Sequence, residues 1–341
     1  MHPAMLALGV VLSVVPVLLF LGALVIIDSY KLVALKSVLL AAAVGGAMAA
    51  LSYVVNVRLA PALGLPLVGY ARYVAPVLEE VLKAAFIVVM LRRNRIGFVV
   101  DAAIYGFAIG TGFALVENVY YMVVTPDAPL WTWLVRGLGT AIMHGCATAV
   151  FAMAARALRA PTTQLGWGRL IPGLLVAILL HSLYNHFLLQ PLTAAGLVML
   201  VFPWLAVAIF ERSDRDTREW LGNGFDTDQE LLSAMRAGAV SQTPVGTYLT
   251  TVRQHFDPEV IVDMLCLLRL RAELGIRAKA VLMAREAGFE MDADPSLPEK
   301  FAELRYLEKN IGATGMRALQ PFIHTSTQDL WQLNMLNETH A

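Results

Sequence analysis

Up to Phe210 the chain alternates long apolar stretches with short polar breaks; beyond it the pattern changes to amphipathic, helix-like spacing. Seven apolar stretches reach membrane-spanning length, over about 5–27, 34–56, 74–91, 98–124, 131–157, 170–190 and 192–210, since roughly 20 residues in a helix cross the hydrocarbon layer. The breaks are short, apart from the Pro/Gly/Leu-rich RLAPALGLPLVGYAR between the second and third stretches. The pattern predicts an all-α protein: a polytopic membrane helix bundle of about seven spans over 1–211, then an α-helical domain over 212–341. In the second part helical periodicity is strongest in PEVIVDMLCLLRLRAELGIRAKAVLMAREAGF, where Pro258 suits the first turn and Asp257 the N-cap. ERSDRDTREWLGNGFDTDQE reads as a charged linker, and TTQLGWG and LGNGF read as loops by their glycine and polar content. The first apolar stretch lacks a basic n-region, is long, and shows no small-residue cleavage site, so it reads as a retained span rather than a signal peptide.

Charge sharpens the division. The net charge of zero conceals 12 Lys/Arg against 6 Asp/Glu in residues 1–210 and 14 against 20 in residues 211–341. Neither part is basic enough to imply a nucleic-acid partner. Cys146 falls in a span and Cys266 in the C-terminal part, which argues against a disulfide between them and against a cysteine zinc site. Lys31 and Lys36, then Arg92, Arg93 and Arg95, then Arg156, Arg159 and Arg169 fall on one side of the seven-span topology, together with the C-terminal part. The other side carries Arg58 and Arg72 in its loops and little else. The positive-inside rule then places the N-terminus outside the cell membrane and the C-terminal domain in the cytoplasm.

Against this apolar background a few residues stand out. VAPVLEEVLKAAF places Glu79, Glu80 and Lys83 inside the third span, ENVYY places Glu117 in the fourth, and His144, His181 and His186 lie in the fifth and sixth. An ionisable residue at the centre of a span costs about 2.5–3.5 kcal/mol on insertion scales, so such residues face a bundle interior and mark function by default. The plain alternative for any one of them is a buried, hydrogen-bonded structural residue. Several in four neighbouring spans are harder to explain by packing. Lys83 can neutralise Glu79 at i,i+4 or Glu80 at i,i+3, while the two glutamates point about 100° apart, so one is expected to face the site while the other is held. Gly106 and Gly110 form a small-xxx-small pair for close helix approach. His181 and Asn185 are i,i+4, so the amide can fix the imidazole tautomer or contact the same substrate; His186 faces elsewhere and reads as structural. Counted from the outer boundary at 1.5 Å per residue, Glu79, Glu80 and Glu117 lie about 9–10 Å deep, His181 about 14 Å and His144 about 20 Å. These depths allow all of them to converge on one cavity.

Four ordered motifs, EEVLK at 79–83, FALVEN at 113–118, the histidine of MHG at 143–145 and HSLYN at 181–185, resemble those of the PrsW family of intramembrane proteases. That family is a branch of the group that includes the type II CAAX prenyl endopeptidases and bacteriocin-processing enzymes. The resemblance covers residues 70–190 and leaves the C-terminal domain without a role. The related CAAX enzymes typically carry His in the second motif where this chain, like PrsW proteins, has Glu117. The resemblance implies an intramembrane peptidase in which Glu79 and Glu80 supply the general base, His144 and His181 position water or a metal, Asn185 helps hold the oxyanion, and Glu117 is a further ligand or acid. It also implies a membrane-anchored protein substrate, by analogy one of the anti-sigma-factor kind.

Peptide hydrolysis needs an activated water, a proton donor for the leaving amine and donors for the oxyanion, and this set can supply all three. Two imidazoles with carboxylates and no thiolate suit zinc or another divalent ion, with Glu117, His144 and His181 as the candidate ligands. A metal-free site with a glutamate base needs the same residues. Ser182 and Cys146 adjoin His181 and His144 in sequence and so point away from them, which argues against serine or cysteine catalysis. An ion- or proton-coupled transporter would use the same residue types, but the chain shows no inverted repeat and seven spans divide poorly into halves. A sensor that merely anchors its C-terminal domain leaves the acidic pair unexplained.

Overall fold

A computed structural model describes residues 3–159, 166–292, 294–323 and 326–338, all of whose regular elements are helical. Most of the expected loop TTQLGWG lies outside the described residues. The chain falls into two compact units, Met1–Ser213 and Asp214–Ala341.

The first unit contains α1 (Pro3–Ile26), α2 (Leu35–Leu63), α3 (Ala75–Arg92), α4 (Val99–Val124), α5 (Leu130–Ala157) and α6 (Trp167–Asn185), followed by the apolar part of α7 (Pro191–Arg236). All seven expected stretches are therefore helical. Six of these helices are long and apolar enough to cross a membrane, which makes the unit a polytopic membrane helix bundle. The exception is α3, whose 18 residues carry Glu79, Glu80, Lys83 and Arg92. Its first three charges are buried inside the protein, as an ionisable group in a span requires.

Several ends differ from the expectation for identifiable reasons. α2 runs through Pro61, which removes one backbone donor near the last turn, and stops at Gly64, whose φ of 60° supplies the left-handed C-cap. A π-helical turn, Tyr70–Val74, leads into α3, and a second, Arg136–Ala141, lies within α5. α6 ends at Asn185 rather than near 190: Phe187 adopts a φ of 48°, and Pro191 already opens the next helix. α7 continues to Arg236, so the expected linker and the LGNGF loop are helical. Glycine in a helix costs about 1 kcal/mol relative to alanine, and burial of Thr217, Leu221 and Leu232 offsets the two in that stretch.

The centre of the bundle is α4, which packs mainly on α5 and α2. Close approach is built from missing side chains. A Cβ at Gly106 would lie 2.6 Å from Ala149 Cα, one at Gly110 would overlap the His144 carbonyl, and one at Gly112 the Ala42 carbonyl. At the entry to α4, Asp101 accepts from the Gly97 and Phe98 backbone N–H groups at 2.7 and 2.9 Å. Arg156 donates to the Gly97 carbonyl, and Arg159 to the Leu91 carbonyl (2.5 Å) and Asn94 Oδ1 (2.6 Å). Two basic residues at or just beyond the end of α5 thus tie down the turn between α3 and α4.

The second unit adds α8 (Pro244–Val252), α9 (Pro258–Glu286), α10 (Leu297–Leu319) and α11 (Thr327–Glu338) to the C-terminal part of α7. Its core includes Met264, Leu267, Leu274, Leu304, Leu307 and Leu336. Asp257 takes the N-cap position of α9 without a side-chain capping bond, and Pro258 opens the first turn.

Candidate active site

The 100° offset between consecutive residues of α3 gives its two glutamates different surroundings. Glu80 is turned fully inward and is 1% exposed. Its Oε1 accepts from Lys83 Nζ at 2.5 Å and lies 2.9 Å from His181 Nδ1, while Thr148 Oγ1 lies 3.5 Å from Oε2. Of the two pairings open to Lys83 in the sequence, the structure takes the i,i+3 one. A carboxylate only accepts, so His181 donates its Nδ1–H and presents the Nε2 lone pair on the opposite edge. Glu79 lies on that edge, its Oε2 3.8 Å from Nε2. The His181 tautomer is thus fixed by Glu80 and not by Asn185.

Lys83 has a second partner. Its ammonium lies 3.1 Å from His144 Nδ1 and 4.5 Å from the centroid of the Phe113 ring. An ammonium only donates, so Nδ1 accepts and the ring proton of His144 sits on Nε2, 3.2 Å from Glu117 Oε2. The His144 and His181 rings meet edge to face, 4.6 Å between centroids. One buried cation therefore anchors both a carboxylate of its own helix and an imidazole of α5.

Glu117 is the most open of the three glutamates, with a side-chain exposure of 24% against 11% for Glu79 and 1% for Glu80. It is held by Arg136, whose Nη2 donates to Oε2 at 2.9 Å and whose Nε donates to Asn118 Oδ1 at 2.8 Å. The guanidinium lies 3.9 Å from the Tyr121 ring centroid, and Asn118 is itself tied to the Ser13 carbonyl at 3.0 Å. Arg136 begins the π-helical stretch of α5. Sequence reasoning passes over it; the signal available is a lone arginine inside the fifth apolar stretch, opposite an intramembrane glutamate.

Glu79, Glu80, Glu117, His144 and His181 are thus gathered at one place by α3, α4, α5 and α6. Asn185 stands apart: at the last position of α6 it donates to the Ala71 carbonyl at 3.0 Å. His186 Nδ1 lies 2.7 Å from the Ser182 carbonyl, and Ser182 Oγ donates to the Arg72 carbonyl at 2.6 Å. Among the described residues, Glu79, His144 and His181 each offer a ligand atom within 4.8 Å of the others. Glu79 takes the carboxylate place in this group, where the sequence suggests Glu117. Two imidazole nitrogens and a carboxylate are a donor set that suits zinc and leaves a fourth position open. The Glu80–His181 bond supplies the outer carboxylate that orients a ligating imidazole.

A family model described as PrsW family intramembrane metalloprotease matches residues 33–210, more than half of the chain and every helix that contributes to this cluster. No curated protein and no solved structure matches. The apolar helices, the buried Glu/His cluster and a family match of that extent lead to one conclusion: the chain belongs to the PrsW family of intramembrane metalloproteases and is an integral membrane peptidase.

Proposed function

We propose that the protein hydrolyses a peptide bond of a membrane-anchored protein at the cluster on α3–α6, with Glu79, His144 and His181 holding a divalent ion, zinc by donor type. The observation that carries this reading is the convergence of those three ligand atoms within 4.8 Å, with the His181 Nε2 lone pair free of its neighbour Glu80. The ion would supply Lewis acidity to polarise the carbonyl and lower the pKa of water.

The remaining work falls to the protein's own residues. Glu80, engaged by Lys83 and His181, positions the second imidazole. Glu117, the most open carboxylate, takes the proton of the attacking water and returns it to the leaving amine, while Arg136 holds its Oε2 in place. His144 would be ready as a ligand only with its Nε2 proton removed by way of Glu117, 3.2 Å away, and released to solvent before Glu117 acts as the base, with Lys83 able to supply a proton to Nδ1. The buried setting keeps bulk water from the reacting groups. Asn185, implied as an oxyanion donor by the family resemblance, commits one of its two amide N–H groups to the Ala71 carbonyl and would have only the second for such a role.

The His144 contacts also favour a second reading. With Nδ1 accepting from Lys83, Nε2–H is a donor aimed into the cluster, which suits an oxyanion in a metal-free site with Glu79 as the base. We further propose the cell membrane as the location and the C-terminal unit as cytoplasmic, from the side on which the basic residues fall. The contacts of Arg156 and Arg159 with the 91–97 turn support a common side for those charges.

The test is to strip the purified protein with a strong chelator and follow bound metal and cleavage of a single-span substrate together. The metal reading expects both to be lost, both to return with zinc, and His181→Ala and Glu79→Gln to bind no metal. A metal-free preparation with full activity would refute it in favour of the glutamate base.

A further inference from the structure

A polar side chain inside a span needs a hydrogen-bond partner, and α2 carries two on one face, the i,i+4 pair Ser52 and Asn56. Ser52 is buried and Asn56 is half-buried. Asn56 Nδ2 donates to Ser52 Oγ at 3.1 Å, and Asn56 Oδ1 accepts from the Tyr70 hydroxyl at 2.6 Å. Tyr70, only 3% exposed, opens the π-helical turn that leads into α3. Tyr70 and Glu79 are nine positions apart and would lie on opposite sides of a regular helix. The π-helical turn takes up one residue and brings them to about 80° of each other. The amide of Asn56 also hydrogen-bonds the Glu79 carboxylate.

These partners agree on one orientation of the amide. A carboxylate only accepts, so the end of Asn56 that meets Glu79 is its NH₂ group, whose two N–H bonds serve Ser52 and Glu79. Oδ1 is then the end that takes the Tyr70 O–H. With the amide reversed, its oxygen would oppose the Glu79 carboxylate, lone pair against lone pair. Tyr70 thus sets which end of Asn56 faces Glu79. Asn56 as mere glue between α2 and the turn before α3 would need the Tyr70 bond alone; the contact with Glu79 goes beyond that role. Glu79 has a flexible side chain to restrain, and its Oε2 stands 3.8 Å from His181 Nε2, outside hydrogen-bond distance.

We propose that Asn56, oriented by Tyr70, is a positioning residue for the reaction: its N–H holds the Glu79 carboxylate with Oε2 turned to the Nε2 edge of His181. The inference rests on Glu79 being a working carboxylate of the site, and it holds whether Glu79 binds the ion or acts as the base. A ligating carboxylate is itself held by a hydrogen bond from the protein. A base needs the same restraint to stay aimed at the water it activates.

Asn56→Leu removes the amide but strands the Tyr70 hydroxyl, so the test adds Asn56→Leu/Tyr70→Phe, which removes both ends of that bond. In the purified full-length protein, kcat per folded molecule on a single-span substrate is expected to fall about 10–100-fold in both, with KM within about twofold. The zinc dissociation constant, measured against a competing chelator, should rise by a similar factor, while the unfolding midpoint of the chelator-stripped double variant stays near the native one. A merely structural Asn56 would give the reverse, a lower midpoint with native kcat per folded molecule and native zinc affinity, and that result overturns the proposal. If the native protein cleaves without metal, the kcat and KM comparison alone decides. Glu79→Gln separates this inference from the reading beneath it. Native-like cleavage by Glu79→Gln would bring down the site assignment and the proposal with it. An inactive Glu79→Gln beside Asn56 variants of native kcat would overturn the proposal alone.

Discussion

Replacing Glu80 by Gln keeps the side chain's shape but removes the charge that neutralises Lys83, which is 0% exposed and lies within hydrogen-bond reach of two groups, Glu80 Oε1 and His144 Nδ1. Breaking a buried pair in this way costs about 3–5 kcal/mol, because the partner charge is left stranded. Glu79, one position away, has no such bond to Lys83 among the described contacts and lies 3.8 Å from His181 Nε2. Glu79→Gln is therefore expected to abolish cleavage while leaving the thermal unfolding midpoint of the chelator-stripped protein in detergent unchanged or higher, whereas Glu80→Gln should lower both that midpoint and the activity. Equal midpoints for the two variants would show that the carboxylates are interchangeable. The sequence made the split between the two glutamates expected, since adjacent helical positions diverge by 100°. It left open which one Lys83 would hold, because both spacings are allowed and the deciding partners, His181 and Thr148, come from α6 and α5.

At the scale of elements, the two π-helical stretches matter most. Each adds backbone width within a helix and rotates the later turns relative to the earlier ones. In α5 the stretch Arg136–Ala141 separates Arg136, which binds Glu117, from His144, which also reaches Glu117. Arg136 and His144 are eight positions apart, which in a regular helix would leave them about 80° out of phase; deleting Leu138 leaves seven positions and keeps them within about 20°, whereas inserting an alanine after Leu138 would turn the two contacts about 100° apart. The insertion is expected to cut activity on the order of 10²-fold or more, whereas the deletion and Leu138→Ala should have much smaller effects; comparing the kcat of the three on one substrate checks this. Apolar periodicity does not reveal such a stretch, because every position in it remains compatible with an α-helix. The helices themselves were legible, since uninterrupted apolar runs of that length have few other uses. The continuation of α7 through ERSDRDTREWLGNGF was not. Charges and glycines read as linker chemistry until the packing of Thr217 and Leu221 and the space needed by Lys279 at Gly224 are seen.

For the whole molecule, the cluster draws every one of its residues from the unit Met1–Ser213. A chain ending after Ser213 is accordingly expected to insert and to cleave a model single-span substrate, with Glu79→Gln abolishing that cleavage. Loss of activity in a stably inserted shortened chain would assign part of the machinery to Asp214–Ala341. Within the cluster, the buried ion pair Glu80–Lys83 and the half-buried pair Glu117–Arg136 are both closed by the protein itself. This distinguishes it from small zinc-dependent domains, in which binding the ion and folding are the same event. Under the proposed metal reading, the helices can assemble around charges that already have partners, so loading would be a separate step with its own equilibrium. A cell deprived of the ion would then accumulate an intact, dormant enzyme in its membrane, and restoring the supply would awaken it without new synthesis.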